Sequence, residues 1–206
     1  MIENILCLIV AYLIGSISTS IITSKIMIKD DIRNHGSGNA GATNALRTLG
    51  KKGAALVVLG DGLKAVIAIL IAKFVIDDQM TAVFVAGMGC VLGHNFPVFF
   101  RFKGGKGVLV SLVAMLFADW RIGIVVMIIA IGIMAASRYV SLGSILGAVF
   151  FVILSCVFYI NSDDRFVVFS LMLAGLTIYM HRSNIVRLLN GTENKLGKRK
   201  EEKNNG

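Results

Sequence analysis

"AALVVLGDGLKAVIAILIAKFVI", residues 54–76, is 23 residues long and carries an aspartate, Asp61, and a lysine, Lys64, near its middle. A soluble protein has few places for such a run, whereas it matches the length of a helix crossing a hydrocarbon layer of about 30 Å at about 1.5 Å per residue. Charges inside such a helix are costly and pair or line a polar cavity. Asp61 and Lys64 are three apart, a spacing that lets two helical side chains meet. A supporting ion pair and a catalytic pair both fit this pattern.

The rest of the chain repeats the design. Of 206 residues, 56% are hydrophobic, and the mean hydropathy is +0.79. The apolar runs between charges fall near 4–24, 54–76, 80–100, 108–118, 122–137, 140–160 and 166–180. The fourth is too short to cross upright, since 11 residues reach only about 17 Å. A tilt, a locally thinned bilayer or a re-entrant hairpin with the fifth all return the chain to the same side. "MIENILCLIVAYLIGSISTS" at the start has Glu3 where a signal peptide has a basic region, so it reads as an uncleaved first span.

Net charge is +9, and its placement says more than its sum. Seventeen of the 21 Lys and Arg residues fall on one side of these runs, while Lys73, Arg121 and Arg165 fall on the other. Basic residues mark the cytosolic side. The expectation is an all-α, polytopic integral membrane protein of seven transmembrane helices with short cytosolic loop helices, its N-terminus outside and its C-terminus cytosolic. Residues 1–197 form one domain in the inner, cytoplasmic membrane, and 198–206 form a basic, disordered tail. Cys7, Cys90 and Cys156 stand alone in apolar runs, with no metal-ligand spacing.

Polar residues crowd the cytosolic segments. In "GSGNAGATNALRTLG" (36–50), Gly36, Gly38 and Gly41 free the backbone, and Ser37, Asn39, Thr43 and Asn44 offer short polar side chains. "ATNALRTLG" reads as a short helix whose N-terminal N–H groups suit an anion, and Arg47 adds a fork for phosphate oxygens. A solvated loop with a helix cap fits these residues equally well. "FKGGKGV" (102–108) repeats the design with Lys103, Gly104, Gly105, Lys106 and Gly107, though it is not a Walker A loop. An interfacial anchor is the other reading, more for Lys103 than for Lys106. His94 precedes it, beside Gly93, as a structural or binding histidine. "HRSNIVRLLNG" (181–191) sets His181, Asn184 and Arg187 on one helical face, with Arg182 beside them. A basic helix gripping lipid headgroups shares that composition.

Several chemistries have no support. No histidine is followed five residues later by aspartate, no G-x-S-x-G elbow occurs, and no metal-ligand cluster is present.

Taken in order, "DIRNHGSGNAGATNALRTLG", "GHNFPVFFRFKGGKGV", "RYVSLGSI" and "HRSNIVRLLNGTENK" resemble the bacterial acyl-phosphate-dependent glycerol-3-phosphate acyltransferases, over most of the chain. Ala40 stands where that family commonly has proline, and Ala65 where it has glycine. The resemblance implies transfer of a fatty acyl group from acyl-phosphate to the sn-1 hydroxyl of glycerol 3-phosphate, giving lysophosphatidate and phosphate. It implies no cofactor, no nucleic acid and no obligate protein partner beyond the lipid bilayer. Ser37, Arg47, Lys106, His181 and Asn184 are then the expected catalytic residues. Gly36, Gly38, Asn39, Gly41, Thr43, Asn44, His94, Lys103, Gly104, Gly105, Gly107 and Arg182 bind substrate, and Asp61, Lys64 and Ser141 support them. Either His181 or the departing phosphate takes the hydroxyl proton. The rival reading is a transporter or binding protein for a phosphorylated metabolite or lipid.

Overall fold

The computed structural model describes residues 1–197; the tail expected over 198–206 lies outside them. Among the described residues every regular element is helical. Ten α-helices follow in chain order: α1 Ile2–Gly15, α2 Thr19–Ile28, α3 Ala42–Thr48, α4 Gly50–Val75, α5 Gln79–Asn95, α6 Val108–Ala118, α7 Trp120–Ser137, α8 Val140–Tyr159, α9 Asp164–Met180 and α10 Arg182–Leu189. Counting α1 and α2 together, five segments are long and apolar enough to cross a membrane. A sixth forms if α9 and α10, bent by 61° at their junction, are taken as one. The short α6 spans the expected 108–118.

Two boundaries differ from the apolar runs. The first run breaks at Ser16–Ser18, where Ser18 adopts an extended conformation, so one span becomes two helices. The run 80–100 stops being α-helical at Asn95. Pro97 explains this, because it lacks an N–H and disfavours helical geometry in the residue before it; a 3₁₀ turn at Val98–Phe100 follows. At the opposite end of the bundle the aspartates are caps. Asp78 accepts from the Thr81 N–H (2.9 Å), Asp119 from Arg121 (2.9 Å) and Asp163 from Arg165 (3.1 Å). Each satisfies an N–H that a starting helix leaves unpaired.

Helix α5 runs through the middle, with eleven of its residues buried from Ala82 to Asn95. It meets α1 backbone to backbone. A Cβ on Gly93 would strike the Tyr12 carbonyl, and one on Gly89 would lie 2.7 Å from the Leu8 oxygen. Gly89 and Gly93 are four apart, the spacing that lets membrane helices approach closely. Farther from the glycine-rich loops, Phe84 stacks on Phe169 (4.4 Å between ring centroids) and Tyr159 on Phe166 (4.0 Å), closing that end of the bundle. Leu59, Phe74, Ile128 and Val157 point outward, each more than 60% exposed. An apolar exterior around a partly polar interior suits a lipid surround.

Candidate active site

Segment 30–41 is folded by its own side chains. Asp31 accepts from the Arg33 N–H and grips the Arg33 guanidinium, whose Nη1 donates to the carbonyls of Phe100 and Lys103 (2.9 Å each). That arginine therefore ties the first polar segment to the second. Asn44, 1% exposed, accepts from the Ser37 N–H (2.9 Å) and donates to the carbonyls of Ile32 (3.2 Å) and His35 (3.0 Å). Its amide shapes the loop and has little left for a ligand. Gly36 (φ +60°) and Gly38 (φ +72°) supply the left-handed turns. Ser37, Asn39, Thr43 and, one turn on, Arg47 are left facing a cavity, with the start of α3 at Gly41.

The segment 103–107 behaves differently. The Gly104 N–H donates to the Asn95 carbonyl (3.2 Å) and the Gly105 N–H to that of His94 (3.1 Å). A Cβ on Gly105 would run into the His94 imidazole and lie 2.7 Å from the Ala40 oxygen. These two glycines therefore allow close packing on the end of α5, and their amides are not available as an anion cradle. Lys103 is exposed and also lies outside the cavity. Gly36, expected at the site, sits behind it against Asn44. What reaches the cavity from the second segment is Lys106, with Gly107 at the head of α6.

Lys106 donates its ammonium to Asn184 Oδ1. Burial pulls the ammonium down to about 8; Glu193 opposes this, and the Arg187 and Arg47 cations reinforce it. Asn184 in turn donates to Glu193 Oε1 (2.7 Å), which also accepts from the Ser141 hydroxyl (2.9 Å), while Arg187 Nε donates to Oε2 (2.7 Å). Burial works to raise the Glu193 carboxyl, but those three hydrogen bonds outweigh it and hold it low. His181, 3% exposed, sits at the α9–α10 bend with Nδ1 2.8 Å from the Thr177 carbonyl. A carbonyl only accepts, so Nδ1 carries the proton and Nε2 keeps a lone pair. Burial, then Lys106, pushes the imidazole down to about 4. Arg182 lies over the Tyr179 ring.

All three polar segments thus converge on one cavity of about 500 Å³. Asp61, His94, Ser141 and Arg182 also line it, and Val108, Leu109, Leu112, Met134, Val140 and Met180 give it an apolar wall. Lys64 stays beneath, paired to Asp61 at 2.8 Å. Glu193 is the participant that sequence reasoning misses. It is one acid in a polar stretch after α10, and only the fold carries it back to Ser141. The chain beyond it is strapped across the α7–α8 turn by Leu196 N–H to the Arg138 carbonyl (2.7 Å). Cations, hydrogen-bond donors and a lone pair at one end, beside an apolar wall, suit a ligand that is anionic at one end and greasy at the other.

Comparisons with known proteins point the same way. Residues 5–191 match the family described as glycerol-3-phosphate acyltransferase. The glycerol-3-phosphate acyltransferase of Thermoanaerobacter pseudethanolicus is 49% identical over 96% of this chain and 98% of its own. That of Clostridioides difficile is 45% identical over 96% and 97%. Among solved structures, PlsY (YgiH), an integral membrane glycerol 3-phosphate acyltransferase in its glycerol 3-phosphate form, superposes with a TM-score of 0.82 at 39% identity, covering 94% of this chain and 96% of that one. Its lysophosphatidic acid form gives 0.81 at 38% identity. With the fold, the cavity and these likenesses in agreement, the chain belongs to the glycerol-3-phosphate acyltransferase family.

Proposed function

We propose that this enzyme transfers a fatty acyl group from acyl-phosphate to the sn-1 hydroxyl of glycerol 3-phosphate. It does so as one seven-crossing unit over residues 1–197, with its N-terminus outside and its cavity on the cytosolic face of the inner membrane. The carrying observation is the convergence of Ser37, Arg47, Lys106, His181 and Asn184, from three distant parts of the chain, around one cavity with an apolar wall. Both proposed substrates are phosphates and one bears an alkyl tail, so each end of the cavity has a chemical use.

In this reading Ser37, Asn39, Thr43, Arg47 and Lys106 hold phosphate oxygens and offset charge developing on the acyl carbonyl and the leaving group. Arg182 and Asn184 orient glycerol 3-phosphate, and His94 lines the floor. The sn-1 oxygen attacks the acyl carbon, the bond from that carbon to the phosphate oxygen breaks, and phosphate leaves. An imidazole near 4 is a weak base at neutral pH, so His181 accepts a hydrogen bond from the hydroxyl through Nε2 and the departing phosphate takes the proton. Acyl-phosphate is already activated, so positioning and charge neutralisation suffice without an acyl-enzyme. Asn44 and Ser141 act as supports, as do Gly104 and Gly105.

The test is direct. Purified protein in detergent, given both substrates, releases phosphate and lysophosphatidate in equal amounts. Movement of a phosphorylated solute into liposomes without either product would point to a transporter.

A further inference from the structure

Lys64 lies 5% exposed within α4. An ammonium has three donors and no acceptor, and here each donor has an acceptor. Asp61 Oδ1 is 2.8 Å away, the Ile17 carbonyl 2.8 Å and His94 Nδ1 3.0 Å. The Ile17 carbonyl is available because the first span breaks at Ser16–Ser18. Asp61 Oδ1 also accepts from the Thr19 hydroxyl (3.1 Å). It stands 3.6 Å from His94 Nδ1, too far for a hydrogen bond.

This arrangement fixes a proton. A nitrogen that accepts from an ammonium carries no hydrogen, so the His94 proton sits on Nε2. The Nε2 edge abuts Gly105, next to Lys106, and His94 lines the cavity floor. Among the described residues Nε2 has no hydrogen-bond partner. The geometry points to Lys64 as a positioning residue: by donating to Nδ1 it locks His94 in the Nε2–H form and so supplies the cavity with a neutral donor beside the Lys106 ammonium. Such a donor serves a phosphate or carbonyl oxygen without adding a further cation to Arg47, Lys106, Arg182 and Arg187. The kinetic half of this inference rests on the acyl-transfer reading above; the tautomer does not.

Isotope-edited NMR of the full-length protein in lipid nanodiscs reads the tautomer. Carbonyl-labelled glycine with nitrogen-labelled histidine singles out His94, because Gly93–His94 is the one Gly–His pair in the chain. The wild-type ring is expected to show Nε2 protonated and Nδ1 bare. Lys64→Met is expected to shift the proton to Nδ1, toward Asp61, or to protonate both nitrogens, and to lower turnover about a hundredfold. Lys64→Gln keeps an N–H donor for Nδ1; it should retain the wild-type ring form and lose less than about tenfold. A wild-type ring protonated at Nδ1 overturns the inference, whether or not either variant folds. So does a Lys64→Met protein with an unchanged ring, or with an altered ring and full turnover. If the wild-type protein makes no lysophosphatidate, the acyl-transfer reading fails while the ring assignment stands or falls on its own spectrum.

Discussion

Segments 36–41 and 103–107 are both rich in glycine and lead into helices, yet they serve the cavity in different ways. In the first, glycines turn the backbone so that Ser37 and Asn39 face inward, and Asn44 holds the turn from behind. In the second, Gly104 and Gly105 press onto the end of α5 with their amides bonded to His94 and Asn95, and one side chain, Lys106, projects into the cavity. The lesson is that glycines beside a lysine need not present their own N–H groups to an anion. They also serve by letting a loop lie so close to its support that the lysine cannot wander.

If that contrast is right, Lys106→Ala carries the largest effect. It should lower kcat/KM by about a hundred- to a thousandfold while the protein keeps its melting temperature to within a few degrees, as steady-state kinetics and thermal unfolding in detergent will read. Gly105→Ala comes next. The added methyl has no room against His94 and the Ala40 carbonyl, so a stability loss of about 1–3 kcal/mol is expected, with activity falling through a displaced Lys106. Gly38→Ala has space, its nearest neighbour being the Arg33 oxygen at 3.4 Å, and pays only for its left-handed backbone, about 1 kcal/mol. Equal destabilisation by the two substitutions would erase the distinction.

Acidity sharpens it further. The folded Lys106 ammonium loses its proton near 8, below the ordinary lysine value of 10.5. Between those values the unfolded chain binds the extra proton, so stability rises with pH across the window while the charge that grips phosphate disappears. A decline of kcat/KM above pH about 8 is expected, and Lys106→Arg, whose guanidinium stays charged, should flatten it. The smallest effect belongs to Lys103→Ala. Exposed and outside the cavity, Lys103 should change kcat/KM by less than about twofold, the ordinary range for a surface charge.

The helices were legible because each apolar run is bounded by charges, and those charges recur in the structure as caps, as Asp78, Asp119 and Asp163 show. The break at Ser16–Ser18 was not, because serine and isoleucine tolerate a helix, and the contacts made there are tertiary: the close approach of α1 to α5 and the bond from Lys64 to the freed Ile17 carbonyl. Pro97 did signal the end of α5, although hydropathy alone runs past it. At the site, charged residues flanked by glycine announced themselves, as did the His181–Asn184–Arg187 face. Glu193 did not, because its three donors come from Ser141, Asn184 and Arg187, and no periodicity encodes a contact across 52 residues. The role of Gly104 and Gly105 was hidden for a related reason: whether a glycine amide meets a ligand or a carbonyl depends on what lies behind it.

The three-acceptor nest around Lys64 also has a consequence for biogenesis. During synthesis α1, α2 and α4 enter the bilayer first, so the Asp61–Lys64 pair can be met by Ile17 and Thr19 early, whereas His94 arrives only with the end of α5. The nascent chain therefore passes through an interval in which an intramembrane ammonium lacks one of its acceptors. A polypeptide truncated before residue 94 would be held in that state, and the later arrival of α5 supplies the acceptor that completes the nest.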